Sequence, residues 1–239
     1  MVSCILAFYC LGAAAGPAAQ TPPDPDLLYR QREDMTLARR AADLWEARAQ
    51  SGSDFEAAWK HARARYWLGT QGPERERRAA LERGVQAGEQ AAKITPGKPD
   101  GHFWLAANMG ALAESFGLSQ GLKYRGRIKS ELERALAIDP AWQQGSADRA
   151  LGWWYHKVPG LFGGSEEKAE AHLRKALGYN PQSTATLYFL AEVLIERNKR
   201  PEARTMLQRA IDAPLDPDWM PEDRDFQRKA AARLATVGR

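Results

Sequence analysis

The sequence predicts an all-α protein built as a stack of antiparallel helix pairs, an α-solenoid. Composition is the first ground: Ala and Leu dominate while Val, Ile and Thr are sparse, which favours helix over sheet. Periodicity is the second. Leu37, Ala41, Leu44 and Trp45 recur at spacings of three and four and lay one apolar stripe along a helix. The third is a repeated ending. Ala135-Leu-Ala-Ile-Asp-Pro140 and Ala176-Leu-Gly-Tyr-Asn-Pro181 stop their helices alike. The residue before proline avoids the α region, and proline has no N–H to give to the helix ladder.

That repeated ending marks a tetratricopeptide-type unit, in which each helix pair stacks on the next. From Pro96 to Pro140 the chain advances 44 residues, from Pro140 to Pro181 it advances 41, and from Pro181 to Pro214 it advances 33. The standard unit is about 34 residues. The first two units therefore carry insertions between their two helices. One is at Gly117-Leu-Ser-Gln-Gly121, in a unit whose helix is also longer. The other is at Val158-Pro-Gly-Leu-Phe-Gly-Gly164.

Hydrophobic residues make up 44% of the 239-residue chain and charged residues 27%, an ordinary balance for a soluble protein. The net charge is +4. Its basic residues are interleaved with acids, as in Arg30-Gln-Arg-Glu-Asp34 and Arg224-Asp-Phe-Gln-Arg-Lys229. Mixed charge of this kind is a solvated helix face rather than a nucleic-acid surface.

In chain order, residues 1–19 are apolar and uncharged and read as a secretory signal peptide, giving an exported, periplasmic protein. Cleavage after Ala15 is one reading. A lipid-anchored Cys10 is the other, less favoured because Tyr9 stands where a lipoprotein signal wants a small residue. Cys4 and Cys10 are the only cysteines, so no disulfide is expected in the folded part. Residues 20–26 read as a Pro-rich linker. Residues 27–239 read as one helical-repeat domain.

The first helix is expected over residues 27–50. Ser51-Gly-Ser-Asp54 then stops the chain and caps a second helix over 55–68. Pro73 suits the first turn of a helix reaching Ile94. The next helix, 100–116, carries Ala106, Ala107, Gly110, Ala111 and Ala113, small residues that permit close helix approach. Helices follow to Ile138, over 145–157 and from Ala169 to the Asn180-Pro181 stop. A regular pair covers 183–197 and 201–211, and a charged helix over 222–236 reads as a polar cap.

Little in this pattern carries chemistry. His61, His102, His156 and His172 lack the spacing of a zinc helix. No nucleophile elbow, Walker loop or dinucleotide fingerprint occurs, so neither an enzyme nor a cofactor is expected. Gly160-Leu-Phe-Gly-Gly-Ser165 could seat an anion at a helix start. The structural reading is stronger. Pro159, Gly160, Gly163 and Gly164 form a turn, Ser165 caps the helix, and Glu166 and Glu167 in its first turn would repel a phosphate.

Eight tryptophans stand out. Trp153 and Trp154 are neighbours on one helix and point about 100° apart. Either one of them reaches a groove, or both are core. The candidate cleft is Trp104, Asn108, Trp153, Trp154 and Phe162. An enclosed aromatic channel there suits a hydrophobic small molecule. A shallow groove lined by Asn, Arg and Lys suits a docked peptide.

Tyr155-His-Lys-Val-Pro-Gly-Leu-Phe-Gly-Gly-Ser-Glu-Glu-Lys-Ala169, followed by His172-Leu-Arg-Lys-Ala-Leu177, resembles the insertion-bearing repeat of the TRAP-transporter T-component family. Phe103-Trp-Leu-Ala-Ala-Asn-Met-Gly110 is similar to that family's preceding segment. The resemblance covers roughly residues 81–211. It implies a periplasmic helical-repeat protein, often lipid-anchored, that self-associates, pairs with a substrate-binding transporter subunit and passes a hydrophobic ligand. The helices also resemble the microtubule-dynamics-regulator repeat proteins, a setting that the export-like leader disfavours. The alternative function is a general repeat scaffold that docks a peptide or an envelope protein.

Overall fold

Capping side chains set where the chain enters its first helices. In the computed structural model, which describes residues 23–237, Asp24 accepts from the Asp26 amide and opens α1 (Pro25–Arg30). Pro25 occupies the first helical turn, where a missing N–H costs nothing. Helix therefore begins inside the stretch read as a linker. The leader and Cys10 lie outside the described residues.

The helix expected over 27–50 is two helices. Asp34 accepts from the Thr36 amide and starts α2 (Met35–Ala49). A short polar side chain that bonds its own backbone competes with helix continuation. Arg32, read as part of a solvated face, is only 3% exposed.

The remaining elements fall close to the expected spans. They are α3 (Phe55–Gln71), α4 (Glu74–Ile94), α5 (Pro99–Ser115), α6 (Leu118–Ile138), α7 (Ser146–Lys157), α8 (Glu166–Tyr179), α9 (Thr184–Glu196), α10 (Arg200–Asp212) and α11 (Met220–Leu234). Asp54, Ser165 and Ser183 cap α3, α8 and α9 through their side chains. Short 3-10 turns at Trp142–Gln144 and Gly160–Phe162 bracket α7.

Successive helices pack as the pairs α3/α4, α5/α6, α7/α8 and α9/α10, and α11 rests on α9 and α10. The core runs through the stack, with Leu81, Leu105, Leu151, Leu173, Leu190 and Leu207 among its fully buried side chains. Close approach comes from glycines on α4 and at the start of α5. A Cβ at Gly88 would lie 2.7 Å from Leu105 Cα, and one at Gly101 would lie 2.5 Å from the Ala92 nitrogen. The small residues of α5 do something other than expected. Gly110 has nothing within 4 Å of an added Cβ, and Ala107, Gly110, Ala111 and Ala113 face a central cavity.

The two ends of the solenoid meet. Arg32, in the turn between α1 and α2, donates from Nε to Glu222 on α11 at 3.0 Å and from Nη2 to the Asp218 carbonyl at 2.9 Å. A second contact joins Arg32 Nη2 to the other Glu222 oxygen. Arg224 reaches Glu33 at 3.3 Å. Trp67 Nε1 donates to the Arg32 carbonyl at 2.7 Å, so the junction is tied to α3 as well. Glu222 is thus part of a buried end-to-end latch, and α11 is a wall of the molecule as well as its cap.

Candidate functional site: a central cavity closed by the ends

The faces of α3, α5, α7, α9 and α11 supply most of the wall of a cavity of about 1460 Å³. Among the even-numbered helices, which otherwise pack behind them, α6 also reaches it with Leu122, Arg125, Ile128 and Leu132. Four of the five candidate residues lie on that wall. Trp104 is buried there, edge-on to Phe103 at 5.2 Å and tilted against Tyr66 at 5.7 Å. Trp153 is half-buried. It stacks on Phe189 with centroids 4.3 Å apart and donates through Nε1 to Glu114 at 2.7 Å. Trp154 turns the other way, is buried, and donates to the Arg125 carbonyl at 3.2 Å. Phe162 stands at the rim beneath the Arg125 guanidinium, 5.0 Å from its ring. Adjacent tryptophans thus tie α7 to α5 and α9 on one side and to α6 on the other, and both border the cavity.

Asn108 does not belong to the cleft. It is fully buried in the seam between α3, α4 and α5, where Nδ2 donates to the Ala62 carbonyl at 3.0 Å and the Trp104 carbonyl at 2.8 Å. Its side chain lies against Gly84, where an added Cβ would be 2.0 Å from Oδ1. A buried amide bonded to two backbone carbonyls is a structural lock. That role removes it from the binding set.

The loop residues have conformational and packing reasons. Gly163 sits at φ 100°, which favours glycine. At Gly164 a Cβ would fall 1.6 Å from the Val158 carbonyl oxygen. The Gly164 amide donates to the Pro159 carbonyl at 3.3 Å and the Ser165 amide to the Tyr155 carbonyl at 3.0 Å. Gly160 opens the short 3-10 turn, and Ser165 Oγ accepts from the Lys168 amide at 3.3 Å.

Sequence reading missed the group that polarises the cavity. Arg149 lies one turn before Trp153 on α7 and donates to Ser146 Oγ at 2.6 Å. Burial pushes its guanidinium down to about 10, partly offset by Tyr66 and Asp223. Burial likewise pushes the Tyr66 phenol up to about 12. Asp223 is held by Thr184 Oγ1 and by the Asp216 amide at 2.8 Å. Burial raises the Glu222 carboxyl above its ordinary range, and Arg32 draws it partly back. Opposite Trp153 lie Tyr188, Phe189 and Phe226, packed with centroids 5.3 to 6.1 Å apart. Phe226 sits inside the charged run read as a polar cap, and its isolation there was the one available signal.

The histidines are held by side-chain partners. His102 bonds Glu131 at 2.6 Å and His172 bonds Asp148 at 2.8 Å. His156 bonds Glu166 at 3.0 Å, and His61 accepts from Arg65 at 2.8 Å. Among the described residues no group of three or more His, Cys, Asp or Glu could hold a metal ion, and no helix is long and apolar enough to cross a membrane.

Paired helices stacked about a concave aromatic wall define a tetratricopeptide-like α-solenoid. The fold matches a crystal structure of a thermophilic TPR protein from Thermus thermophilus, with a TM-score of 0.66, 22% identity, and coverage of 88% of this chain and 97% of that one. The family model for regulator of microtubule dynamics protein 1-3 matches residues 26–238, and the chain belongs to that family. Regulator of microtubule dynamics protein 1 from Caenorhabditis elegans is 23% identical over 208 residues, which is 79% of this chain and 88% of that protein. These matches support the second of the two family resemblances and not the TRAP-transporter one. The Pro-Gly-Leu-Phe-Gly-Gly loop that carried the transporter resemblance is explained by its own turn geometry.

Proposed function

We propose that the chain is a non-enzymatic docking scaffold that holds a segment of a partner protein in its central cavity. The observation that carries this reading is the cavity itself. It combines aromatic walls for apolar side chains with Arg149, a partly desolvated cation bonded to a hydroxyl. Such a cation favours an acidic side chain or a C-terminal carboxylate. The name of the family associates its members with microtubule dynamics, and a cytoskeletal or cytoskeleton-associated partner fits a helical-repeat scaffold. The end-to-end latch favours a second reading, an enclosed hydrophobic small molecule. A transporter partner has no support from the family match. Export through residues 1–19 stands as a proposal, tested by N-terminal sequencing of the mature protein.

The test places a photo-crosslinking amino acid at Ala111, on the cavity wall, and at Arg75, an exposed position at the start of α4. Both proteins are irradiated in native extract and the adducts identified by mass spectrometry. A discrete protein adduct at 111, lost in Arg149→Gln, supports partner docking. A small-molecule adduct at 111 supports the second reading. Adducts at 75 with none at 111 would remove the cavity from the function.

A further inference from the structure

Three of the exposed large apolar side chains gather at one mouth of the cavity. Leu161 is 91% exposed, Leu122 49% and Phe162 40%. Leu161 and Phe162 are in the 3-10 turn between α7 and α8, and Leu122 is near the start of α6. Leu122 and Phe162 both border the cavity, and Arg125, on the next turn of α6, covers the Phe162 ring at 5.0 Å. The turn is fixed on its base by the Gly164 and Ser165 amide bonds described above. Leu161 is therefore held out into solvent by a defined loop, the reverse of what burial favours for leucine.

Cations stand beside this mouth, each on an aromatic ring. Arg125 covers Phe162, Lys157 borders the same cavity 5.2 Å from the Trp153 ring, and Lys123 follows Leu122 in the chain, 4.7 Å from the Tyr124 ring. Many other basic side chains are in ion pairs, as Arg127 is with Glu89 and Lys129 with Glu133. The nearby acids are already engaged. Glu114 accepts from Trp153, Glu166 from His156, and Glu167 from Ser165. The tip thus combines protruding apolar side chains with cations left available to an anionic partner.

We propose that this rim docks on an anionic lipid bilayer, with Leu161 and Phe162 entering the interfacial layer and Lys123, Arg125 and Lys157 meeting lipid phosphates. Charge complementarity requires an anionic surface. The size of the patch selects a bilayer over a protein. Three side chains on two elements fall far short of the roughly 800 Å² per partner of a standard protein interface. Apolar side chains beside Lys and Arg are what an interfacial element presents to the headgroup boundary. The proposal stands apart from the identity of the cavity's occupant.

The test uses the full chain with an environment-sensitive fluorescent amino acid at position 161, so the signal reports this loop and not the apolar N-terminal residues. Vesicles are of phosphatidylcholine alone, or with about a third phosphatidylserine. The expected result is a blue shift with the anionic vesicles only, abolished by high salt. In a version probed at 162, Leu161→Ser should weaken the vesicle titration about tenfold, the scale of one withdrawn leucine. Lys157→Glu with Arg125→Glu should abolish it. Circular dichroism melts check that the variants fold. An unshifted probe with anionic vesicles, or an equal shift with neutral ones, overturns the proposal. So does a shift that follows protein concentration in the absence of vesicles, which would assign the patch to a second copy of the chain.

Discussion

Arg32→Ala removes the cation that joins the two ends of the solenoid. The guanidinium is nearly sealed from solvent, makes a bidentate pair with Glu222, bonds the Asp218 carbonyl, and lies 5.0 Å from the Tyr29 ring and 5.4 Å from the Trp67 ring. Breaking a buried pair by deleting one partner costs about 3–5 kcal/mol, because the other charge stays behind unpaired. Glu222 retains some exposure, with 23% of its side chain accessible, and its carboxyl is already raised by burial. It can therefore relieve its charge by taking a proton or water. The lower end, about 3 kcal/mol, is the expected cost. For a domain of this size each kcal/mol moves Tm by about 2–4 °C, so a fall of about 6–12 °C is expected in scanning calorimetry. Hydrogen exchange should rise in residues 25–34 and 218–230 before it rises in α5. Arg32→Lys should recover only part of the loss, since an ammonium cannot reproduce the planar fork. A melt within about 1 °C of wild type and unchanged exchange at both ends would refute the assignment of the ring closure to this pair.

Further predictions address the cavity, the loop and pH. Trp154→Ala, at a buried position, should cost about 3–5 kcal/mol in urea unfolding. Trp153→Ala should cost less, mainly the roughly 0.5–1.5 kcal/mol of its stack on Phe189, yet abolish more of the crosslinking at position 111. Gly164→Ala puts a methyl into the Val158 carbonyl and should cost about 2 kcal/mol or more, read as a lowered urea midpoint. Gly88→Ala should cost about 1–3 kcal/mol by forcing α4 from α5, whereas Gly110→Ala, facing open space, should gain up to about 1 kcal/mol in helix propensity. The His102–Glu131 bond raises the histidine above 6.5 and lowers the carboxyl below 4.5. A raised histidine stabilises fully below its unfolded value and loses that contribution as pH rises through its folded value. A lowered carboxyl stabilises above its unfolded value and loses it as pH falls. The Tm deficit of His102→Gln should therefore be greatest between about pH 4.5 and 6.5 and shrink on both sides.

Helix positions were legible because local chemistry sets them. Asp54, Ser165 and Ser183 are caps with short oxygens, and Asp139-Pro140 and Asn180-Pro181 stop their helices as read. The break at Asp34 was not legible, since Arg30-Gln-Arg-Glu-Asp34 has helix-compatible residues throughout. The break is made by the Asp34 cap on the Thr36 amide, and the turn it leaves carries Arg32 to a partner 190 residues away, Glu222, which local pattern does not contain. The aromatic part of the cavity wall could be read because tryptophans crowd one helix. Arg149 could not, because an arginine on an amphipathic helix ordinarily reads as solvated, and only the curvature of the whole stack turns it inward. Asn108 erred in the opposite sense. It was named with the candidate cleft, but the approach of α3 and α4 closes over it.

The same two kinds of small residue explain how one stack can have both a tight seam and a wide interior. Gly88 and Gly101 let α4 and α5 meet at backbone distance on the outer side. Ala107, Gly110 and Ala111, on the face of α5 turned toward the cavity, withhold volume on the inner side. A helix drawn inward along one edge and left unfilled along the other bends its neighbours around the gap. Trp153, Phe189 and Phe226 then span the widening wall with rings instead of backbone contact. Continued to the ends of the chain, that curvature brings the α1–α2 turn to α11, where the Arg32–Glu222 pair can form. Closure and cavity are thus one consequence of where volume was placed. Enlarging the α5 face, as in Gly110→Phe, should therefore intrude on the chamber and loosen the latch together, with the α4–α5 seam intact. The expected measurement is a loss of crosslinking at position 111 with hydrogen exchange in residues 25–34 raised. Loss of crosslinking with end protection unchanged would show instead that curvature does not depend on the empty interior.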